Sequence, residues 1–317
     1  MSNVNNMILS SDSIDFSEYA AEPHDADKIV DPRHYRDETI AYLKGIGNAA
    51  GATLPWQKTH ANIQFRPGEV SLWMGVNGHG KSLLTSHVIL GFLHQNQKVC
   101  IASLEMKPRA TLARLVKQAA GNPYPSEMFV DAVISQAMGK LWLYDKLGKT
   151  DPAHLLKIMR YAVVKLGLDH FVIDSLMKVV EGEDDYNGQK NFVNELCAFA
   201  ADYNIHIHLV HHSRKLADEN QIPGKMDAKG SGAIVDQVDQ SFTVWRNKRK
   251  ESDRQSPKGC DESMPDAILV CDKNRHGEWE GKVGLYYSPG SVSYSEQPGR
   301  PMIYDYSKYL QPTGEAI

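Results

Sequence analysis

The chain has 317 residues, 42% of them hydrophobic and 23% charged, with a net charge of −4 at neutral pH. That length builds one large domain or two modest ones around a sizeable core. The composition is that of an ordinary globular protein, and no apolar run approaches the ~20 residues of a membrane span. The N-terminus lacks the basic flank and apolar core of a signal peptide. Cys100, Cys197, Cys260 and Cys271 lie far apart with no C-x-x-C pair, which reads as reduced thiols in a cytoplasmic protein. The charge is uneven: residues 1–40 hold nine acids and three bases. Net charge therefore neither supports nor excludes a nucleic-acid partner.

In chain order, residues 1–30 are polar, acidic and without periodicity, and read as a flexible tail. Ile40, Leu43 and Ile46 have helical spacing over Asp37–Ala50, with Gly51 as a stop. Together these make a first segment, 1–50. Leu54–Pro67 reads as irregular. Val70–Met74 is an apolar run that leads into Gly75-Val76-Asn77-Gly78-His79-Gly80-Lys81-Ser82, and Leu83, Leu84, Val88, Ile89 and Phe92 lead out. This is strand, tight loop, helix, and it fits G-x-x-x-x-G-K-[ST]. The glycines Gly75, Gly78 and Gly80 let the backbone of Asn77 and His79 curl its N–H groups inward, and the helix N-terminus adds partial positive charge. Lys81 would reach the β- and γ-phosphates of ATP, and Ser82 would hold Mg²⁺.

From there strand-like runs alternate with amphipathic helices. The strands are Val99–Ser103, Leu141–Tyr144, His170–Asp174 and Ile205–Val210. The helices run through Leu112–Ala119, Leu155–Leu166 and Phe192–Tyr203. Such alternation predicts an α/β fold, a mostly parallel sheet flanked by helices. Phe242–Trp245, Ala267–Cys271 and Val283–Tyr287 follow, the last two as an antiparallel C-terminal pair. Residues 216–230 and 247–265 read as long polar loops.

Hydrolysis needs a metal-holding carboxylate and a group that orients water. Asp174 ends a buried strand, where ligands of such sheets bind, and is the candidate for Mg²⁺. Glu105 follows the strand Val99–Ser103; if that strand neighbours the one before the cradle, Glu105 projects toward the γ-phosphate as a base. His211 and His212 end the strand Ile205–Val210, where a neutral imidazole can sense phosphate. His206 and His208 share a sheet face, but no carboxylate or Cys set accompanies them as a metal site would require. Lys273 and Arg275 can face one anion, or merely line a solvated turn. Lys225, Lys229, Gly230, Ser231 and Gly232 form a basic, flexible stretch suited to strand phosphates. Arg246, Lys248, Arg249, Lys250, Arg254 and Lys258 form a second basic run, either a nucleic-acid contact or a solvated face.

These motifs in this order resemble the RecA-like helicase domain of the DnaB family, and most closely its phage primase-helicase and Twinkle branch. The resemblance spans about Leu54–Tyr294. It rests on Gly75–Ser82, Ser103-Leu104-Glu105-Met106, Val172-Ile173-Asp174-Ser175, His211-His212-Ser213-Arg214-Lys215, Lys229–Ile234 and Lys273-Asn274-Arg275-His276-Gly277. It implies a RecA-like P-loop NTPase core over 51–296, a short C-terminal tail over 297–317, and a hexameric ring with ATP between subunits. Glu105 matches the catalytic glutamate, Asp174 the magnesium aspartate, His212 the phosphate sensor and Arg275 the arginine finger, with Lys273 beside it. The 229–234 stretch matches a DNA-contacting loop. Arg246 and Tyr287 fall where this branch clamps the base, and the Asp37–Ala50 helix where relatives dock on the adjacent subunit. The match includes no primase domain, so a primase or loader is expected on another chain. The expected activity is that of an ATP-dependent DNA helicase of phage or bacterial replication, translocating on single-stranded DNA. The alternatives are a RecA/RadA-like recombination or regulatory ATPase, and a non-hydrolysing nucleotide-binding assembly module.

Overall fold

The computed structural model describes residues 8–9, 31–43, 51–180, 185–212, 222, 232–257, 259–277 and 279–310. The elements in chain order are β1 (Ile8–Leu9), α1 (Arg36–Leu43), β2 (Ala52–Thr53), β3 (Gln64–Phe65), β4 (Val70–Met74), α2 (Lys81–His94), β5 (Val99–Ser103) and α3 (Pro108–Ala120). Next come α4 (Glu127–Ala137), β6 (Leu141–Tyr144), α5 (Pro152–Leu166), β7 (His170–Asp174), α6 (Tyr186–Tyr203) and β8 (His206–Val210). The last are α7 (Gly232–Gln237), β9 (Gln240–Arg246), α8 (Lys248–Arg254), β10 (Ala267–Asn274), β11 (Gly281–Ser288) and β12 (Ser293–Ser295).

Among the described residues ten strands form one sheet in the order β1-β6-β5-β7-β8-β4-β9-β10-β11-β12. All pairings from β1 to β9 are parallel, and those of β10 with β9 and β11, and of β11 with β12, are antiparallel. Every residue of β4, β5, β6, β7 and β8 is buried, as central strands covered on both faces must be. One face packs Trp73, Leu84, Val88, Phe92, Leu115 and Val133 into a core. The other packs Leu72, Met74, Phe171, Ile173, Phe192 and Leu196. Helix boundaries follow local chemistry. Asp151 accepts from His154 N–H at the start of α5, Pro152 takes the first helical position, and Gly167 closes the helix at φ 65°. An N-cap of this kind contributes about 1 kcal/mol.

Several expectations change. Ile8–Leu9, placed in a tail, form a strand parallel to Leu143–Tyr144. Of the helix expected over 37–50, Arg36–Leu43 is observed as α1, and 44–50 lie outside the described residues. The segment 54–67 contributes β3, which pairs with β2 as a two-stranded hairpin. Residues 247–265 include α8, and two cations of the basic run there are held by carboxylates while Arg249 stays exposed. Lys250 is buried with its Nζ 2.9 Å from Asp266 Oδ1, and Arg254 pairs with both Glu262 and Asp266. Beyond residue 296 the chain still packs on the body: Tyr304 and Tyr306 are buried, their rings against His94 and Phe129. Among the described residues no helix is long and apolar enough to cross a membrane.

Candidate nucleotide site

The C-terminal ends of β4, β5, β7 and β8 meet at one edge of the sheet. After β4 the chain turns through Gly75, Gly78 and Gly80, all at positive φ, into α2. A Cβ on Gly75 would stand 2.5 Å from Val244 O, and one on Gly80 would stand 2.7 Å from Tyr294 Oη. Side chains are excluded there by the strand and ring behind the loop, so these two glycines are required by space as well as by conformation. Lys81 turns back over the loop and donates to Gly75 O at 2.7 Å and Val76 O at 3.2 Å. His79 is buried, and its Nδ1 accepts from Arg246 N–H at 3.3 Å.

Asp174 sits at the end of β7 and is buried. The Ser82 hydroxyl hydrogen-bonds its carboxylate. Its Oδ1 has no hydrogen-bond partner among the described residues. Burial pushes its pKa up, the Ser82 bond pulls it down, and nearby Glu105 pushes it up again. An orphaned buried carboxylate oxygen beside a hydroxyl fits a hard divalent cation, which takes one or two protein oxygens and completes its shell with phosphate and water. The pair Ser82 and Asp174 thus suits Mg²⁺.

Glu105 arrives by a different route from the one expected. β5 does not neighbour β4; β7 and β8 stand between them. The chain after β5 instead bends across β7, with Leu104 N–H donating to Asp174 O at 2.8 Å. Ser175, joined to Asp174 by a cis peptide, donates its hydroxyl to Glu105 Oε1 at 2.9 Å. His212 Nε2 lies 3.5 Å from the same oxygen. Burial, with the Lys81 charge second, lowers the His212 pKa, which favours the neutral ring.

Arg246 and Tyr287 also come together beside the cradle. The guanidinium carbon is 6.0 Å from the Tyr287 ring centroid, Nη1 donates to Gly78 O at 3.5 Å, and Nη2 bonds Glu251. Sequence reasoning missed Arg114 on α3. Its Nη1 donates to Ser82 O at 3.0 Å and its Nη2 to Met106 Sδ at 3.2 Å, joining the cradle helix to the Glu105 bend. Its positive charge opposes the raised pKa of Asp174. Nothing in a single helical arginine marks this role. The contacts of Ser175 with Glu105 and of the Tyr294 hydroxyl with the loop at Gly80 likewise join residues far apart in sequence.

Lys273 and Arg275 are not brought to this cradle. β10 runs antiparallel to β9 and continues through Asn274, so its C-terminal end lies at the opposite edge, where β4 begins. Gly232 opens α7; Lys225, Lys229, Gly230 and Ser231 lie outside the described residues. The paired histidines are part of the core. His208 Nδ1 accepts from Trp73 Nε1 at 3.2 Å, His208 Nε2 is 3.1 Å from His170 Nδ1, and His206 bonds Ser71 Oγ and Arg66 O. Among the described residues no group of three or more His, Cys, Asp or Glu is placed to hold a metal.

A parallel sheet carrying this loop, carboxylate pair and histidine at one edge defines a RecA-like P-loop ATPase core. The chain matches the family described as AAA domain over residues 53–218, more than half its length, and belongs to that family. Two solved structures share the fold. One is a DnaB-like replicative helicase studied with its interactions with primase, with TM-score 0.66 and 15% identity over 84% of this chain and 67% of that one. The other is the ATPase domain of a second protein, with TM-score 0.66 and 16% identity over 87% of this chain and all of that one.

Burial lowers the Lys81 pKa to about 8, with Asp174 and then Glu105 opposing the shift. Between that value and the unfolded lysine's 10.5 the unfolded chain holds more protons, so this group's contribution to stability rises with pH across the window. Phosphate binding needs the ammonium form, so nucleotide affinity is expected to fall as pH rises through about 8. Calorimetry with a non-hydrolysable ATP analogue should show Kd weakening roughly tenfold from pH 7.5 to 9. Lys81→Arg, always protonated, should flatten the slope.

Proposed function

We propose that the chain is a cytoplasmic ATP-driven DNA helicase of phage or bacterial replication, a hexameric ring that hydrolyses ATP at subunit interfaces and translocates on single-stranded DNA. The observation that carries this reading is the division of the machinery between opposite edges of one sheet. Glu105, Asp174, His212 and Lys81 converge at one edge, and Arg275 lies at the other. The five residues of β4 separate the edges by roughly 13 Å at ~3.3 Å per residue. A cation there serves a neighbour's nucleotide more readily than its own, which is what a ring with heterologous contacts provides.

In this reading Gly75–Ser82 cradles the phosphates and Lys81 leaves the loop carbonyls for the β- and γ-oxygens. Ser82 and Asp174 would hold Mg²⁺, which neutralises charge on the phosphates. Glu105 takes the proton of the water attacking the γ-phosphorus, and Ser175 fixes the carboxylate for that task. His212, hydrogen-bonding to Glu105, reports the γ-phosphate. Arg246 and Tyr287 part to take the base between them. Arg275, with Lys273, stabilises transferring charge in the neighbouring site. Lys225 and Lys229–Gly232 track the strand's phosphates. One of the two fold relatives was studied with a primase, and a separate primase or loader fits this chain too.

The test is the ATPase rate with and without single-stranded DNA, paired with a native mass measurement. DNA-stimulated turnover by a hexamer is expected. A monomer indifferent to DNA would overturn the reading, and filaments on DNA would favour a recombination ATPase instead.

A further inference from the structure

The side chain of Arg275 is not idle at its edge of the sheet. Its Nη1 donates to Asp239 Oδ1 at 2.9 Å, and its Nη2 donates to Asp236 O and Gln237 O, both at 3.1 Å. Its backbone N–H donates to Asp239 O at 2.8 Å. Lys273 Nζ donates to Val235 O at 2.8 Å and to Asp236 O at 2.9 Å. Both cations therefore close the carboxyl end of α7, where a helix leaves its last carbonyls unpaired and carries partial negative charge. Asp239 is the hinge of this arrangement. Its other oxygen, Oδ2, accepts from Val70 N–H at 2.9 Å, so it is fixed to the first residue of the cradle strand β4. It is 13% exposed and Arg275 44%, so the bond is partly sheltered from water.

A finger reaches a neighbour with its two terminal nitrogens. Here both are spent on acceptors of the same subunit. We propose that Asp239 and the carboxyl end of α7 form a stowage site that withholds Arg275 from the adjacent nucleotide, with Asp239 the positioning residue that sets the hold. α7 begins at Gly232, directly after the stretch assigned to DNA. A displacement of α7 would break the carbonyl contacts of Arg275 and Lys273 together. The inference rests on the finger reading of Arg275, and its test separates the two.

Asp239→Asn is the chosen variant because its amide oxygen still accepts from Val70 N–H, while its amide nitrogen faces the Arg275 donor and breaks the pair. In the full chain with MgATP, DNA-free turnover should rise several-fold, and the ratio of turnover with and without oligodeoxythymidylate should fall. The same substitution on an Arg275→Ala background should change nothing, because it keeps the acceptor for Val70 N–H, leaves the nearby His276 (Nε2 3.7 Å from Oδ1) no role in turnover, and alters turnover only through the Arg275 pair. A merely structural role would show equally on both backgrounds. Asp239→Glu keeps the charge but displaces the carboxylate; it should fall between wild type and Asp239→Asn, and it carries the test if the Asn variant does not fold. Unchanged or lowered DNA-free turnover in a folded Asp239 variant, or an equal change on the Arg275→Ala background, overturns the stowage. Full turnover by Arg275→Ala overturns the finger itself.

Discussion

Glu105→Gln is expected to lower ATP turnover by about 10²–10⁴-fold, the range for removing a general base, and to leave nucleotide binding essentially unchanged. The substitution is nearly isosteric. A glutamine oxygen can still accept from Ser175 Oγ, now at 2.9 Å from the carboxylate, so the bend after β5 keeps its anchor to β7. What disappears is the charge and the basicity. Lys81 feels Glu105 only as the second of two opposing charges, after Asp174, so phosphate affinity should barely move. A fall in kcat with little change in the Kd of an ATP analogue is the signature of a group used in the transition state. Near-normal turnover would remove Glu105 from the chemistry and shift the role to His212 or to a residue outside this cluster.

Arg275→Ala is expected to cost about a thousandfold in turnover, the lower end of the range for an arginine finger. The loss should appear in kcat, because Arg275 lies far from the cradle of its own chain. The variant removes one donor each from Asp239 Oδ1, Asp236 O and Gln237 O; Lys273 still holds Asp236 O, and the half-exposed site left by the guanidinium admits water. The fold should therefore survive, and thermal unfolding checks that it does. Full DNA-stimulated turnover by the folded variant would show that the ion pair with Asp239 is the whole purpose of Arg275.

Much of this arrangement was legible in the residues. Val70–Met74, Val99–Ser103, Leu141–Tyr144 and His170–Asp174 are short, nearly all-apolar runs, and each is a strand with those bounds. A buried parallel strand has no polar face to blur its ends. The loop from Gly75 to Ser82 was legible because phosphate cradles need glycine at fixed places. Strand order was not legible: nothing local says that β7 and β8 separate β5 from β4, because pairing is decided by how α2, α3, α5 and α6 pack. α8 was hidden in a charged run because Lys250 and Arg254 are held by Glu262 and Asp266 rather than by an apolar stripe. α4 starts at Glu127, capped by Ser126 behind two prolines, in a segment whose pattern gave no strand or helix. Arg114 and Asp239 gain their roles only from partners far off in sequence, Ser82 and Arg275 respectively.

Whether the two edges of the sheet meet across subunits is tested directly by one measurement. Lys81→Ala and Arg275→Ala subunits, each inactive alone, are mixed and assayed with single-stranded DNA. An Arg275→Ala subunit keeps its cradle and a Lys81→Ala subunit keeps its finger. In a randomly assembled ring of equal parts, about a quarter of the interfaces pair the two intact halves. Turnover should recover toward that fraction of wild type. No recovery at any mixing ratio, in assemblies that native mass shows to be mixed, would contradict a site completed by Arg275 of the neighbour.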